Sequence, residues 1–159
     1  MLKKNKEFVI NLPTVELLNA VDFCGVRSGE KINKIQELGL ELEDGDKIAT
    51  PSIKNSPVNL ECVVKSVTSL GSHDMFTAEI VSCRIDDKLL DENGVFRLDK
   101  ANLLAYCHGY YYSLGKKLGK FGFSVEKDKT KKKKEKEKRA LSNLNKVYKP
   151  KFKKSNSKK

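Results

Sequence analysis

The residue types that most readily carry chemistry are sparse in this sequence. Its two histidines are His73 and His108, and His108 directly follows Cys107, a pairing that suggests a thiol–imidazole mechanism. Such a mechanism needs an acid or another third group to orient the imidazole, and the sequence places none beside this pair. His73 follows Gly71-Ser72 in a polar turn, where a histidine is commonly a solvated hydrogen-bonding residue. From the residues alone, neither histidine is assigned a catalytic role.

The cysteines are widely spaced, with no CxxC pair and no spacing typical of metal ligands: Cys24, Cys62, Cys83 and Cys107. The charged N-terminus is not followed by an apolar core, so no secretory signal is indicated. No run of about 18 apolar residues could span a membrane. We therefore expect free thiols in a reducing cytoplasm, no metal site and no membrane partner.

The formal charge of +11 comes from one end of the chain. Residues 127–159 hold 16 Lys and Arg against 3 Asp and Glu, whereas residues 1–126 hold 16 against 18. We expect a folded domain over 1–126 and a disordered Lys-rich tail over 127–159, with at most a transient helix at 129–144. The lysine runs at 131–134 and 149–154 are typical of solubilising tails, or could bind nucleic acid or another polyanion by counterion release.

Short strands and helices must position any site in the folded part. Glu7–Leu12 is β-branched and aromatic and stops at Pro13, which predicts a strand and then a break. Thr14 then precedes a short helix that ends at Gly25. A second helix is predicted over Glu30–Leu38 from the spacing of its apolar residues.

The clearest strands form a predicted antiparallel hairpin, Val58–Val67 and Met75–Ile85, around a polar turn at 70–74. Asp91–Gly94 carries an Asn-Gly turn signal and predicts a short strand over Val95–Leu98. The fold class is thus mainly β with short helices. The strands are too few to close a barrel, and the first strand has no evident partner.

Six strings of residues occur in order across residues 7–124: Glu-Phe-Val-Ile-Asn-Leu-Pro-Thr (7–14), Phe-Cys-Gly-Val-Arg-Ser-Gly (23–29), Asn-Leu-Glu-Cys (59–62), Leu-Gly-Ser-His-Asp-Met-Phe (70–76), Tyr-Tyr-Ser-Leu-Gly-Lys (111–116) and Gly-Lys-Phe-Gly-Phe-Ser (119–124). Together they resemble the flavin reductase-like family, specifically its flavoredoxin branch. The resemblance implies a split β-barrel that binds FMN noncovalently, typically at the interface of a homodimer. It also implies an oxidoreductase in electron transfer, which passes electrons from NAD(P)H or a redox partner protein to flavin.

The resemblance also implies flavin contacts at four positions. Lys34 matches a family lysine soon after a Ser-Gly turn that begins here at Ser28, and a cation there suits a phosphate or an anionic flavin. His73 matches a histidine of the hairpin loop, and Tyr106 an aromatic position that packs on the ring. Around the lysine the family usually has Ser-Gly-Arg-Asp-x-Asp-Lys-Phe, whereas residues 28–35 read Ser-Gly-Glu-Lys-Ile-Asn-Lys-Ile.

The first strands of the family have no counterpart in this sequence. We therefore expect a split barrel that is incomplete at its N-terminus and that lacks about half of the usual flavin contacts. The alternative function is a truncated, non-catalytic barrel whose basic tail binds nucleic acid or another polyanion.

Overall fold

The computed structural model describes residues 1–147. Contacts divide the chain into two compact units, Met1–Lys116 and Lys117–Lys159. The boundary that composition suggests, between residues 126 and 127, stays a prediction. None of the helices within residues 1–147 is both long and apolar enough to cross a membrane.

The first unit is mainly β, as expected. Its α-helices are α1 (Leu2–Asn5), α2 (Leu18–Val26) and α3 (Lys34–Glu37), and 3-10 turns occupy Val15–Leu17, Asp87–Leu89 and Leu98–Lys100. Its strands are β1 (Glu7–Asn11), β2 (Leu42–Glu43), β3 (Ser52–Ile53), β4 (Val58–Ser69), β5 (Asp74–Ile85), β6 (Leu104–Cys107) and β7 (Tyr110–Ser113).

A three-stranded antiparallel sheet in the order β1-β4-β5 organises this unit, and the pairs β2-β3 and β6-β7 form two small ribbons. The long hairpin β4-β5 confirms the prediction from its Val- and Ile-rich strands. The first strand finds its partner in β4, with Glu7 opposite Val63 and Asn11 opposite Asn59. Within residues 1–116, no further strand pairs with the outer edge of β1 or of β5.

The two faces of the sheet differ in polarity because side chains alternate along each strand. On one face, the buried residues Val58, Leu89 and Ala101 form the core cluster. Leu12, Leu60, Ile85 and Leu103 pack around that cluster.

The opposite face is polar and is held to the loop between β2 and β3. Glu61 is 2% exposed, and its two carboxylate oxygens accept hydrogen bonds from the backbone N–H groups of Asp46 (2.7 Å) and Lys47 (2.8 Å). The Asn11 side chain likewise accepts from Ile53 N at 2.9 Å. The Arg84 guanidinium donates to the Asp44 carbonyl at 2.8 Å. Side chains of all three strands thus fix this loop and β3, the strand that follows it, over the sheet.

Two predicted elements are wrong in extent. The helix expected over Glu30–Leu38 is limited to Lys34–Glu37, because the side chain of Asn33 accepts from Gln36 N at 3.3 Å and starts the helix there. The strand expected over Val95–Leu98 is absent from the described residues, and only an isolated bridge joins Leu90 to Phe96.

The Asn-Gly turn explains the missing strand. The Asp91 carboxylate accepts from both Asn93 N and Val95 N at 3.0 Å, and these bonds also lower the pKa of Asp91. The backbone N–H of Val95, which a strand ladder would use, therefore serves the turn. The first helix differs less, since it starts after a 3-10 turn and extends one residue past Gly25.

The second unit contains a 3-10 turn at Phe123–Val125 and a helix, α4 (Asp128–Val147). The sequence predicts at most a transient helix over 129–144, within this range. Every side chain described on α4 is exposed, in agreement with a segment that buries no hydrophobic core. The lysine run at 149–154 lies outside the described residues.

Candidate functional site

Helix α2 lies between two cavities. The first, of about 490 Å³, separates α2 from β1 and is lined almost entirely by apolar side chains: Val9, Ile10, Asn11, Pro13, Leu17, Ala20, Val21, Cys24, Leu40 and Ile53. The second, of about 440 Å³, separates α2 from the β6-β7 ribbon. It is lined by Val21, Asp22, Gly25, Val26, Tyr106, Gly109 and Tyr111. Val21 lines both cavities, so a single helix positions their walls.

The first cavity lies along the open edge of β1. Leu12 N donates to Val58 O at 2.9 Å and Val64 N to Lys6 O at 2.8 Å, so the even-numbered residues point their backbone groups at β4. The backbone groups of Glu7, Val9 and Asn11 therefore point outward. An apolar cleft beside an unpaired strand edge can receive another extended segment.

The second cavity has an aromatic wall. Tyr106 and Tyr111 are directly opposite each other in the ribbon, with ring centroids 5.2 Å apart in an edge-to-face arrangement. The Tyr111 hydroxyl donates to Asp22 Oδ1 at 3.1 Å, which ties the ribbon to α2. Burial raises the pKa of Tyr111, and the hydrogen bond to Asp22 raises it further, so both favour the neutral phenol that donates to Asp22.

Two of the expected flavin contacts lie together at the end of α2. Lys34 Nζ donates to the carbonyl oxygen of Cys24 at 2.6 Å, and the stem of Lys34 passes near the Ser-Gly turn, since a Cβ added at Gly29 would lie 3.9 Å from Lys34 Cε. The residue before Gly29 is Ser28, and its Oγ accepts a hydrogen bond from Glu30 N at 3.3 Å. An ammonium carries three N–H donors, so one bond to a carbonyl leaves capacity for an anion.

Tyr106 lies beside α2 in the second cavity, whereas His73 lies away from this helix. His73 lies in the β4-β5 turn with Nδ1 2.9 Å from Ser72 Oγ, and it is exposed. The pairing of β1 with β4 begins at Val63, and β4 continues for six more residues to Ser69, where the turn follows. At the rise of a strand, these six residues separate Val63 from the turn by about 20 Å. The structure therefore brings Ser28, Lys34 and Tyr106 around α2 and does not bring His73 to them.

The remaining reactive groups form no further centre in the described part of the chain. His108 adopts φ 50° in the turn of the β6-β7 ribbon, and its neighbour Cys107 is a free, exposed thiol. Burial raises the pKa of the Cys62 thiol, which disfavours the reactive thiolate. Among the side chains that the structure describes within residues 1–147, no group of three His, Cys, Asp or Glu residues is placed to hold a metal ion.

Sequence reasoning missed the pair of Asp22 and Tyr111. The available signal was the alternation in Tyr110-Tyr111-Tyr112, because alternate residues of a strand face opposite ways. Tyr110 and Tyr112 are exposed, and Tyr111 faces α2.

Residues 1–115 match the family model of the flavin reductase like domain. The chain belongs to the flavin reductase-like family. An uncharacterized protein of Archaeoglobus fulgidus is 40% identical to this chain over 91 residues, which cover 57% of this chain and 51% of that protein. The chain thus spans about half the length of this curated relative.

Solved structures of the family agree with the fold. The flavoredoxin of Desulfovibrio vulgaris (Miyazaki F) aligns with a TM-score of 0.71 at 23% identity, covering 79% of this chain and 68% of that one. The flavoredoxin from Methanosarcina acetivorans aligns with a TM-score of 0.67 at 28% identity, with the same coverage. An FMN-binding protein from Thermus thermophilus aligns at 0.57 and 25% identity, covering 70% and 60%. These matches confirm the split-barrel class and the flavoredoxin branch of this flavin reductase-like protein.

The residues of this chain fit two parts of FMN. The ammonium of Lys34 and the hydroxyl of Ser28 suit its phosphate, because charged donors bind phosphate oxygens strongly. The cavity walled by Tyr106 suits the flat ring, since aromatic edges and faces pack against one another. Tyr106 lines one of the two cavities beside α2, whereas Lys34 and Ser28 line neither, so the complete cofactor needs an additional wall.

Proposed function

We propose that this protein binds FMN around helix α2 and acts as a flavin-dependent oxidoreductase in electron transfer. The observation that carries the proposal is the position of Lys34 and Ser28 at one end of α2, within a family fold whose solved members include flavoredoxins and an FMN-binding protein. FMN, when bound, supplies the hydride and single-electron chemistry. NAD(P)H or a redox partner protein supplies the electrons.

The roles of the side chains follow from their contacts. Lys34 balances the charge of the phosphate, and its bond to the Cys24 carbonyl fixes the ammonium in place. Tyr106 packs against the ring, and Tyr111 supports Tyr106 from across the ribbon. Asp22 anchors Tyr111 and thereby keeps the aromatic wall beside the helix.

The additional wall comes from a second copy of the chain. The exposed hairpin turn that carries His73 extends well beyond β1, so it can reach a neighbouring protomer. In a homodimer, His73 would complete the flavin site of the partner protomer and not that of its own chain.

Solvent-exposed free thiols at Cys83 and Cys107 suit a reducing cytoplasm.

An FMN titration tests the proposal. Quenching of flavin fluorescence by the purified chain should saturate in the micromolar range. Lys34→Met should weaken binding about tenfold, because a charged hydrogen bond to phosphate is lost. Lys31→Met is the matched control, since Lys31 is an exposed lysine three residues earlier, and it should bind FMN normally.

The same titration separates the role of the dimer. His73→Ala should lower FMN affinity without changing the molar mass measured by light scattering. A chain that retains no FMN at ~10 μM would contradict the proposal, because a modest site would be largely occupied at that concentration. Equal affinity of the Lys34 and Lys31 variants would contradict the assignment of the phosphate site.

A further inference from the structure

The second compact unit combines exposed aromatic rings with a basic helix. Phe121 is fully exposed at 106% and Phe123 is 60% exposed, and both precede α4 by a few residues. Composition predicts that both phenylalanines belong to the folded domain over 1–126. Contacts group residues 117–126 with the basic helix in the second unit.

The phenylalanine rings are presented by a glycine-rich turn. A Cβ added at Gly119 would lie 2.8 Å from Cδ1 of Phe123, so the ring packs closely on the bare glycine backbone. Gly122 adopts φ +79°, a conformation that favours glycine, and it starts the 3-10 turn that carries Phe123. Exposed apolar groups next to charged residues are typical of an interaction surface.

The helix adds a row of cations. Lys132, Lys136 and Arg139 are exposed and are spaced by four and three residues, so they share one face of α4. The row extends about 10 Å along the helix axis at 1.5 Å per residue. Lys133 and Lys138 lie on other faces of the same helix.

We propose that this unit binds single-stranded nucleic acid. Bases would stack on the rings of Phe121 and Phe123, and phosphates would lie along the row of Lys132, Lys136 and Arg139. Aromatic platforms beside a basic track are the combination by which proteins bind single strands without sequence preference. Flavin binding and strand binding use different residues of the chain, so either can fail without the other.

Other anionic surfaces fit the unit less well. A helix that lies on a membrane needs an apolar face along its length, whereas the apolar residues of α4 are confined to its last eight positions: Ala140, Leu141, Leu144 and Val147. A double strand keeps its bases stacked internally, so it offers no base faces to the two phenylalanines. A single strand uses both features.

Fluorescence anisotropy of a labelled uridine oligonucleotide with the full chain tests the proposal. Binding should weaken with increasing salt, and an unlabelled single strand should compete better than a duplex of the same sequence. Phe121→Ala with Phe123→Ala should lower the affinity about tenfold or more and leave the salt dependence unchanged. Tyr110→Ala removes an aromatic of similar exposure (67%) from the first unit and should have no effect.

The charge variants test the row on the helix. Replacing Lys132, Lys136 and Arg139 by glutamine should reduce the slope of log affinity against log salt by about 2, as expected for three contacts to a single strand. The control replaces Lys133 and Lys138, two cations of the same helix outside the row, and should reduce the slope by less than about 1.

Several outcomes would overturn the proposal. These are no binding at ~10 μM protein in low salt, unchanged affinity of the double phenylalanine variant, or equal effects per charge of the row and its control. Anionic vesicles that compete as well as the single strand would show a membrane surface as the partner. Preference for RNA or for DNA supports the proposal in either case and identifies the strand.

Discussion

Replacing Glu61 by glutamine tests how the polar face of the sheet is held. Glu61 lies on the central strand, and both of its oxygens accept backbone hydrogen bonds from the loop between β2 and β3. Glutamine has nearly the same shape. It removes the charge and turns an amide N–H₂ toward one of two backbone N–H donors, so one donor loses its partner.

The size of the effect follows from these two bonds. A hydrogen bond to a charged group contributes about 1.5–3 kcal/mol, and an unpaired buried N–H costs about 1–3 kcal/mol. Because one bond is lost and the other becomes a neutral bond, we expect Glu61→Gln to lower the free energy of unfolding by about 2–4 kcal/mol. For a unit of this size, the loss corresponds to a decrease in Tm of roughly 10–20 °C.

Urea denaturation followed by circular dichroism measures the change. The matched control is Glu79→Gln on the adjacent strand, where the carboxylate is 56% exposed and pairs with Lys65. Surface pairs contribute little, so this control should stay within about 0.5 kcal/mol of the parent protein. If Glu61→Gln were as stable as Glu79→Gln, the loop would not be held by the buried carboxylate, and our account of the polar face would be wrong.

The other predictions concern the backbone and the aromatic wall. Gly45→Ala should destabilise the protein by about 2 kcal/mol or more, because the new Cβ would lie 2.3 Å from a backbone carbonyl oxygen. Gly25→Ala in α2 places its Cβ where no atom lies within 4 Å, so it should stabilise the protein by up to about 1 kcal/mol. Thermal melts of both variants measure these changes. The raised pKa of Tyr111 means that its stabilising contribution is present below its ordinary pKa of 10.0 and is lost as pH rises through the higher folded value. Tyr111→Phe should therefore lose part of the decrease in urea midpoint that the parent protein shows above about pH 10; parallel curves would refute the role of this phenol.

Local sequence determined the elements with strong patterns. Val- and Ile-rich runs around a polar turn produced the hairpin β4-β5, and the β-branched run before Pro13 produced β1. Predictions failed where a single side chain competes for backbone donors, as Asp91 does in its turn and Asn33 at the start of α3. Such short-range competition is specific to geometry and leaves little trace in hydrophobic periodicity.

The sequence by itself also determined the family and the concentration of positive charge in one end of the chain, since both depend on the order and type of residues. Only tertiary structure decided which groups meet. Asp22 and Tyr111 are 89 residues apart in sequence, and Glu61 meets Asp46 across 15. These contacts depend on how α2, the ribbon and the loop pack on the sheet, and packing is fixed by the burial of the whole unit and not by any local pattern. For the same reason, the structure separates His73 from Lys34, although the family resemblance implies that both residues contact the flavin.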